Sequence, residues 1–182
     1  MNNLFRLGID IGSTTVKIAV LNETNEIIFS DYQRHFANIQ QTLAKLLENA
    51  ENALGSFYVY PVITGSGGLT LANHLGIPFV QEVIAVASAL NAYEPKTDVA
   101  IELGGEDAKI IFLSGGLEER MNGSCAGGTG AFIDQMASLL NVTPTDMNTL
   151  AESHEKIYSI ASRCGVFAKS DIQPLINEGA TK

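Results

Sequence analysis

The chain has only two cysteines among 182 residues, Cys125 and Cys164. Two are too few for the disulfide framework of a small secreted domain, and in a reducing compartment they stay thiols available to a metal. Basic residues are scarce too: 11 Lys and Arg stand against 20 Asp and Glu, a net charge of -9. That balance opposes the phosphate neutralisation on which nucleic-acid binding depends, so nucleic acid is excluded as a partner. No apolar run approaches the roughly 18 residues of a membrane span, which excludes a membrane protein of helical type. Arg6 and Asp10 interrupt the only N-terminal stretch that could serve as a signal peptide, and the chain reads as cytoplasmic. His35, His74 and His154 are scattered, share no ligand spacing with the cysteines, and read as solvated or locally packed.

What is present is enough apolar material for a proper core, 46% of residues, in one large domain or two small ones. Residues 4–9 read as a buried strand ending at Asp10 and a turn, Ile11-Gly12-Ser13-Thr14-Thr15, after which Val16, Ile18 and Val20 alternate with Lys17 and Ala19. A third strand over 27–32 completes an antiparallel meander. Leu43, Leu46, Leu47, Ala50 and Leu54 follow helical spacing over 39–54, with Gly55 placed to stop the helix. A strand over 57–63, expected to be buried on both faces, runs into Thr64-Gly65-Ser66-Gly67-Gly68, and short helices over 69–75 and 82–93 follow.

Pro95-Lys96-Thr97 marks a boundary, because the pattern then restarts. A strand over 99–103, a turn at Gly104-Gly105-Glu106-Asp107, strands over 108–113 and 117–121, the Cys125 loop and a helix over 130–140 repeat the earlier order. Two tandem β-β-β-α halves, 1–95 and 96–182, make an α/β protein, and such an internal repeat is expected to enclose a site between its halves. Further on, Thr143-Pro144-Thr145-Asp146 reads as a helix start and 157–161 as a short strand. A last helix over 168–177 contains Pro174 and is closed by Gly179.

In the Asp10–Thr15 turn, backbone amides and three hydroxyls, on Ser13, Thr14 and Thr15, can converge on an anion, and Gly12 presents no side chain to obstruct it. Asp10 is placed to hold hydrated Mg²⁺, and Lys17 is expected near the phosphates. One such turn is equally an ordinary hairpin; its recurrence is what speaks for nucleotide binding. Glu102-Leu103-Gly104-Gly105-Glu106-Asp107 again sets an acid at a strand end before a glycine turn. Facing loops of this kind would clamp a polyphosphate, with Asp10 and Glu102 converging on its metal. Cys125, in Asn122-Gly123-Ser124-Cys125-Ala126-Gly127-Gly128-Thr129-Gly130, lies just before a helix whose free amides and dipole favour a thiolate. Cys125 and Cys164 read either as buried thiols or as metal ligands.

The two loops resemble the phosphate motifs of the acetate and sugar kinase, Hsp70 and actin superfamily, with its ribonuclease H-like fold. More narrowly, Gly8-Ile9-Asp10-Ile11-Gly12-Ser13-Thr14, Ile101 to Asp107, the Cys125 loop, and Arg163-Cys164-Gly165-Val166-Phe167-Ala168-Lys169-Ser170-Asp171 are similar to the activator ATPases of 2-hydroxyacyl-CoA dehydratases and the ATPase subunits of benzoyl-CoA reductases. The resemblance implies a homodimer sharing one [4Fe-4S] cluster, with Cys125 and Cys164 of each chain as ligands. It implies ATP/ADP and Mg²⁺ at Asp10, Gly12, Ser13, Thr14, Thr15, Lys17, Gly104, Gly105, Glu106 and Asp107, with Asp10, Glu102, Glu106 and Asp107 as catalytic acids. It further implies ATP-gated electron transfer, in an anaerobe, from reduced ferredoxin or flavodoxin to a dehydratase or reductase component. Either Glu106 or Asp107 would position the attacking water.

Family members often carry an aromatic and a basic residue in the loop that here reads Thr64-Gly65-Ser66-Gly67-Gly68. They also continue beyond the point corresponding to Lys182 with a glycine-rich adenosine loop, so the chain is expected to be an N-terminal piece with its C-terminal half truncated. Two other functions fit the loops: a small-molecule kinase of the same fold, acting on a sugar or acyl acid, and a non-catalytic nucleotide-binding module. The kinase gives the cysteines no role.

Overall fold

Large apolar residues at every second position over 7–11 and again over 16–20 fold the first strands, because the pairing of the two sends Leu7, Ile9, Ile11, Val16, Ile18 and Val20 to one face, where all six are buried. The computed structural model describes residues 4–122 and 127–182. The chain divides into two compact units, Met1–Asp98 and Val99–Lys182.

In the first unit, β1 (Leu4–Ile11), β2 (Thr15–Leu21) and β3 (Ile27–Arg34) form the antiparallel meander, and β4 (Tyr58–Thr64) adds parallel to β1, giving the order β3-β2-β1-β4. Helix α1 (Ile39–Leu54) lays Leu43, Leu46 and Ala50 on the apolar face. It stops where Gly55 takes φ +78° and its N–H donates to Glu51 O. Helices α2 (Gly68–Leu75) and α3 (Glu82–Tyr93) follow, and Ala72 of α2 joins the same core. The fully buried Ile11, Leu46 and Ile63 each contribute about 1.5–3 kcal/mol by leaving water.

Strand β4 departs from the expectation of two buried faces: Tyr58 and Tyr60 are 63% and 66% exposed while Ile63 is fully buried. It is an edge strand covered by the helical layer on one side only, so alternate residues face outward.

The second unit repeats the order with β5 (Val99–Leu103), β6 (Ala108–Phe112) and β7 (Glu118–Met121) as an antiparallel sheet, then α4 (Gly130–Leu139), α5 (Pro144–Glu152) and α6 (Gly165–Asn177). Thr143 and Asp146 cap α5 reciprocally, side chain to backbone in both directions, with Pro144 in its first turn. Two expectations need correction. Residues 157–161 form no strand: they lack a ladder partner among the described residues, and Ile157 is 83% exposed. Helix α6 begins at Gly165 rather than 168, because its first turn carries exposed Val166 and Phe167 and so lacks the inward apolar stripe by which a helix is read. Its end is as expected: Gly179 at φ +84° donates to Ile176 O and Ala180 N–H to Leu175 O, a Schellman closure. No helix among the described residues is long and apolar enough to cross a membrane.

Candidate functional site

The turn between β1 and β2, here loop 1, is closed by Gly12 N–H donating to Thr15 O at 2.9 Å. Antiparallel register sets Asp10 opposite Lys17, and the Lys17 ammonium lies 2.6 Å from Asp10 Oδ2. Parallel register sets Asp10 beside Thr64 at the end of β4. Asp10 Oδ1 and Thr64 Oγ1 are both buried with no hydrogen-bond partner among the described residues. A buried carboxylate oxygen without a donor is costly unless something else meets it. Two such hard oxygens on neighbouring strand ends suit a hydrated Mg²⁺.

The Thr64–Gly68 loop rests directly on loop 1. Gly67 N–H donates to Ile11 O at 2.9 Å, and Gly65, at φ +95°, has no room for a Cβ against Ile11 O. His35 closes the other flank, buried, with Nε2 at 3.3 Å from Gly12 O. Thr64 and His35 were not legible as site residues, since their partners lie far away in sequence. His74 is exposed, and His154 makes a local contact, Nδ1 to Ala151 O at 2.8 Å.

Loop 2, between β5 and β6, has the same construction. Glu102 pairs in register with Lys109, as Asp10 does with Lys17, and at the same separation in sequence. That repeated acid-to-lysine spacing was the signal by which Lys109 could have been found. Lys109 is 7% exposed, with its ammonium 3.5 Å from Asp107 Oδ2 and 3.8 Å from Glu102 Oε2. Asp107 folds back so that its Oδ1 fills the space where Gly104 would carry a Cβ. Glu106 is left exposed. Of the two acids named for the water, Asp107 is thus engaged inside the loop and Glu106 faces outward.

Loop 2 is hydrogen-bonded to the start of α4. The first amides of a helix lack partners within it; here Gly130 N–H donates to Gly104 O at 2.7 Å and Ala131 N–H to Gly105 O at 3.3 Å. A Cβ on Gly130 would stand 3.0 Å from Gly104 O, so glycine permits the approach. Fully buried Thr129 caps the helix, its hydroxyl accepting from Phe132 N–H at 3.3 Å.

Cys164 is a free, half-buried thiol at the N-cap of α6, beside exposed Arg163. A Cβ on its neighbour Gly165 would lie 3.1 Å from the Phe132 ring and 3.2 Å from Gly127 Cα, so the start of α6 abuts the chain two residues past Cys125. Cys125 itself lies outside the described residues. Among those described, no group of three or more His, Cys, Asp or Glu could hold a metal within one chain. A soft thiolate at a helix start suits an iron-sulfur cluster in kind, and a site completed by further thiolates is what the ligand chemistry requires.

The chain is similar to known proteins over nearly its whole length. The model of the BadF/BadG/BcrA/BcrD ATPase family matches residues 7–182. The (R)-2-hydroxyglutaryl-CoA dehydratase activating ATPase of Acidaminococcus fermentans is 29% identical over 185 residues, covering 99% of this chain and 70% of that protein. The crystal structure of component A of that dehydratase superposes with a TM-score of 0.82 at 28% identity, over 98% of this chain and 70% of the other. The activator of the 2-hydroxyisocaproyl-CoA dehydratase from Clostridium difficile, solved with bound ADPNP, gives 0.80 at 28% identity, over 97% and 67%. The architecture is that of the actin-like ATPases.

Proposed function

The chain belongs to the BadF/BadG/BcrA/BcrD ATPase family, and from that premise we propose that it is an ATP-dependent activator. It would pass single electrons from reduced ferredoxin or flavodoxin to a 2-hydroxyacyl-CoA dehydratase or related CoA-substrate reductase. Relatives bearing activator names, one of them solved with an ATP analogue, support the ATPase half of this reading.

The residues divide the work. Loop 1 offers the main chain of Gly12 to Thr15 to phosphate oxygens, with Lys17 as a counter-charge and Asp10, beside Thr64, as the holder of Mg²⁺. Loop 2 offers Gly104 and Gly105, with exposed Glu106 as the acid that orients the hydrolytic water and Lys109 holding Asp107 and Glu102 in place. Cys125 and Cys164 from each of two copies would hold one [4Fe-4S] cluster, and exposed Val166 and Phe167 beside Cys164 suit burial against a second copy. When bound, that cluster supplies one-electron redox chemistry. The setting is the cytoplasm of an anaerobe.

One observation carries the coupling: the carbonyls of loop 2 accept directly from the first amides of α4, and the residues just before α4 abut the start of α6 at Cys164. A nucleotide can bias such a path only by binding its two arrangements unequally, which a γ-phosphate present in ATP and absent in ADP can do. Gly130→Val tests this, since a Cβ 3.0 Å from Gly104 O makes the helix start and loop 2 move apart. The expected result is that electron delivery to the dehydratase component falls much further than ATP hydrolysis under anaerobic assay. Equal loss of both, or of neither, would contradict the coupling.

A further inference from the structure

His35 follows β3 and is 8% exposed, yet belongs to neither the strand core nor the acids of the site. Its backbone N–H donates to Thr14 O at 3.1 Å. Its ring makes two bonds of fixed direction. Ala37 N–H donates to Nδ1 at 3.1 Å, so Nδ1 is the acceptor and the ring proton sits on Nε2, which donates to Gly12 O at 3.3 Å. Beyond the ring the chain turns back through Phe36 at φ +43° and Ala37 at φ +66°, both left-handed and neither a glycine, which returns Ala37 N–H to Nδ1. That conformation is costly for a residue with a Cβ. Burial of Phe36 does not offset it, because Phe36 is 80% exposed. What the turn supplies is the Ala37 N–H that orients the His35 ring against loop 1.

In a planar trans peptide, C=O and the following N–H point in opposite directions. Fixing Gly12 C=O towards His35 therefore fixes Ser13 N–H away from it, and fixing Thr14 C=O does the same for Thr15 N–H. We propose that His35 is a positioning residue for nucleotide binding: through its Nε2–H it holds the Gly12 carbonyl and so aims the Ser13 amide at a phosphate. The proposal rests on the reading of loop 1 as a phosphate loop.

Two variants separate the two ring bonds. The Asn oxygen overlays Nδ1 and can still accept from Ala37, but reaches no further; the Gln nitrogen overlays Nε2 and can still donate to Gly12. Binding of a fluorescent Mg·ATP analogue and thermal unfolding are measured on the whole chain. His35→Asn should weaken binding about five-fold, the loss of one hydrogen bond, and melt lower than wild type. His35→Gln should melt lower yet bind within about two-fold of wild type. A histidine that served folding alone would lower stability and affinity together in both variants. Wild-type affinity in His35→Asn, or lost affinity in a folded His35→Gln, overturns the proposal. A wild-type chain that binds no Mg·ATP would sink the nucleotide reading of loop 1, and this proposal with it.

Discussion

Replacing Gly65 by Ala tests the stacking of the Thr64–Gly68 loop on loop 1. Gly65 sits at φ +95°, and an added Cβ would stand 2.5 Å from both Ile11 C and Asp10 Oδ1, closer still to Ile11 O. Carbon–oxygen contacts settle near 3.3 Å or beyond, so the two loops must part by about 1 Å. The left-handed backbone costs a residue with a Cβ about 1–2 kcal/mol, and overpacking against main chain adds about 1–3 kcal/mol. Gly76→Ala isolates the first of these costs, since Gly76 has φ +65° with nothing within 4 Å of its missing Cβ. Urea unfolding at constant m should therefore show Gly65→Ala losing about 2–5 kcal/mol and Gly76→Ala about 1–2 kcal/mol. Because displacement of loop 1 moves Asp10 and the Gly12 turn, Mg·ATP affinity should fall at least about ten-fold in Gly65→Ala and stay unchanged in Gly76→Ala. A Gly65→Ala protein no less stable than Gly76→Ala, or binding ATP as well as wild type, would refute the stacking.

Lys109→Met leaves Glu102 and Asp107 without the ammonium beside them; both acids are partly solvated, so a cost of about 1–3 kcal/mol in urea unfolding is expected, together with weaker Mg·ATP binding. Thr129→Ala removes the buried cap of α4 and should cost about 1 kcal/mol, with recovery in Thr129→Ser. The Asp146 carboxyl is held below its ordinary value of 3.8, first by the Thr143 hydroxyl and then by the Thr143 backbone N–H. A lowered folded pKa stabilises above the unfolded value and loses that contribution as pH falls through the folded one. Asp146→Asn should therefore be less stable than wild type at neutral pH, with the gap closing in acid denaturation profiles below the ordinary value of 3.8.

Much of the fold was legible because its signals are local. The bounds of α1 follow from the spacing of Leu43, Leu46 and Ala50 and from Gly55, β1 from the apolar run that ends at Asp10, and β2 from the alternation of Val16, Ile18 and Val20. The two acid-glycine turns declared loops 1 and 2 for the same reason, each being a short stretch of chain. What escaped depends on distant neighbours. The outward face of β4 is set by which side the helices cover, and nothing in Tyr58 to Thr64 records that. Gly130 announces a helix start, but not that its amide reaches Gly104 O. His35 resembles any polar residue after a strand until the pairing of β3 with β2 sets its ring on a loop more than twenty residues earlier. Lys109 was within reach, since Glu102 to Lys109 repeats Asp10 to Lys17, and it is buried where Lys17 is not.

The claim that joins these parts is that two chains share one cluster through Cys125 and Cys164. Anaerobic reconstitution with iron and sulfide, followed by iron, sulfide and mass determination, addresses it directly. The expected product is a dimer with one [4Fe-4S] cluster per two chains, its visible absorbance lost in either Cys125→Ala or Cys164→Ala. A chain that stays iron-free after reconstitution, or a cluster that survives in the double variant, would contradict it.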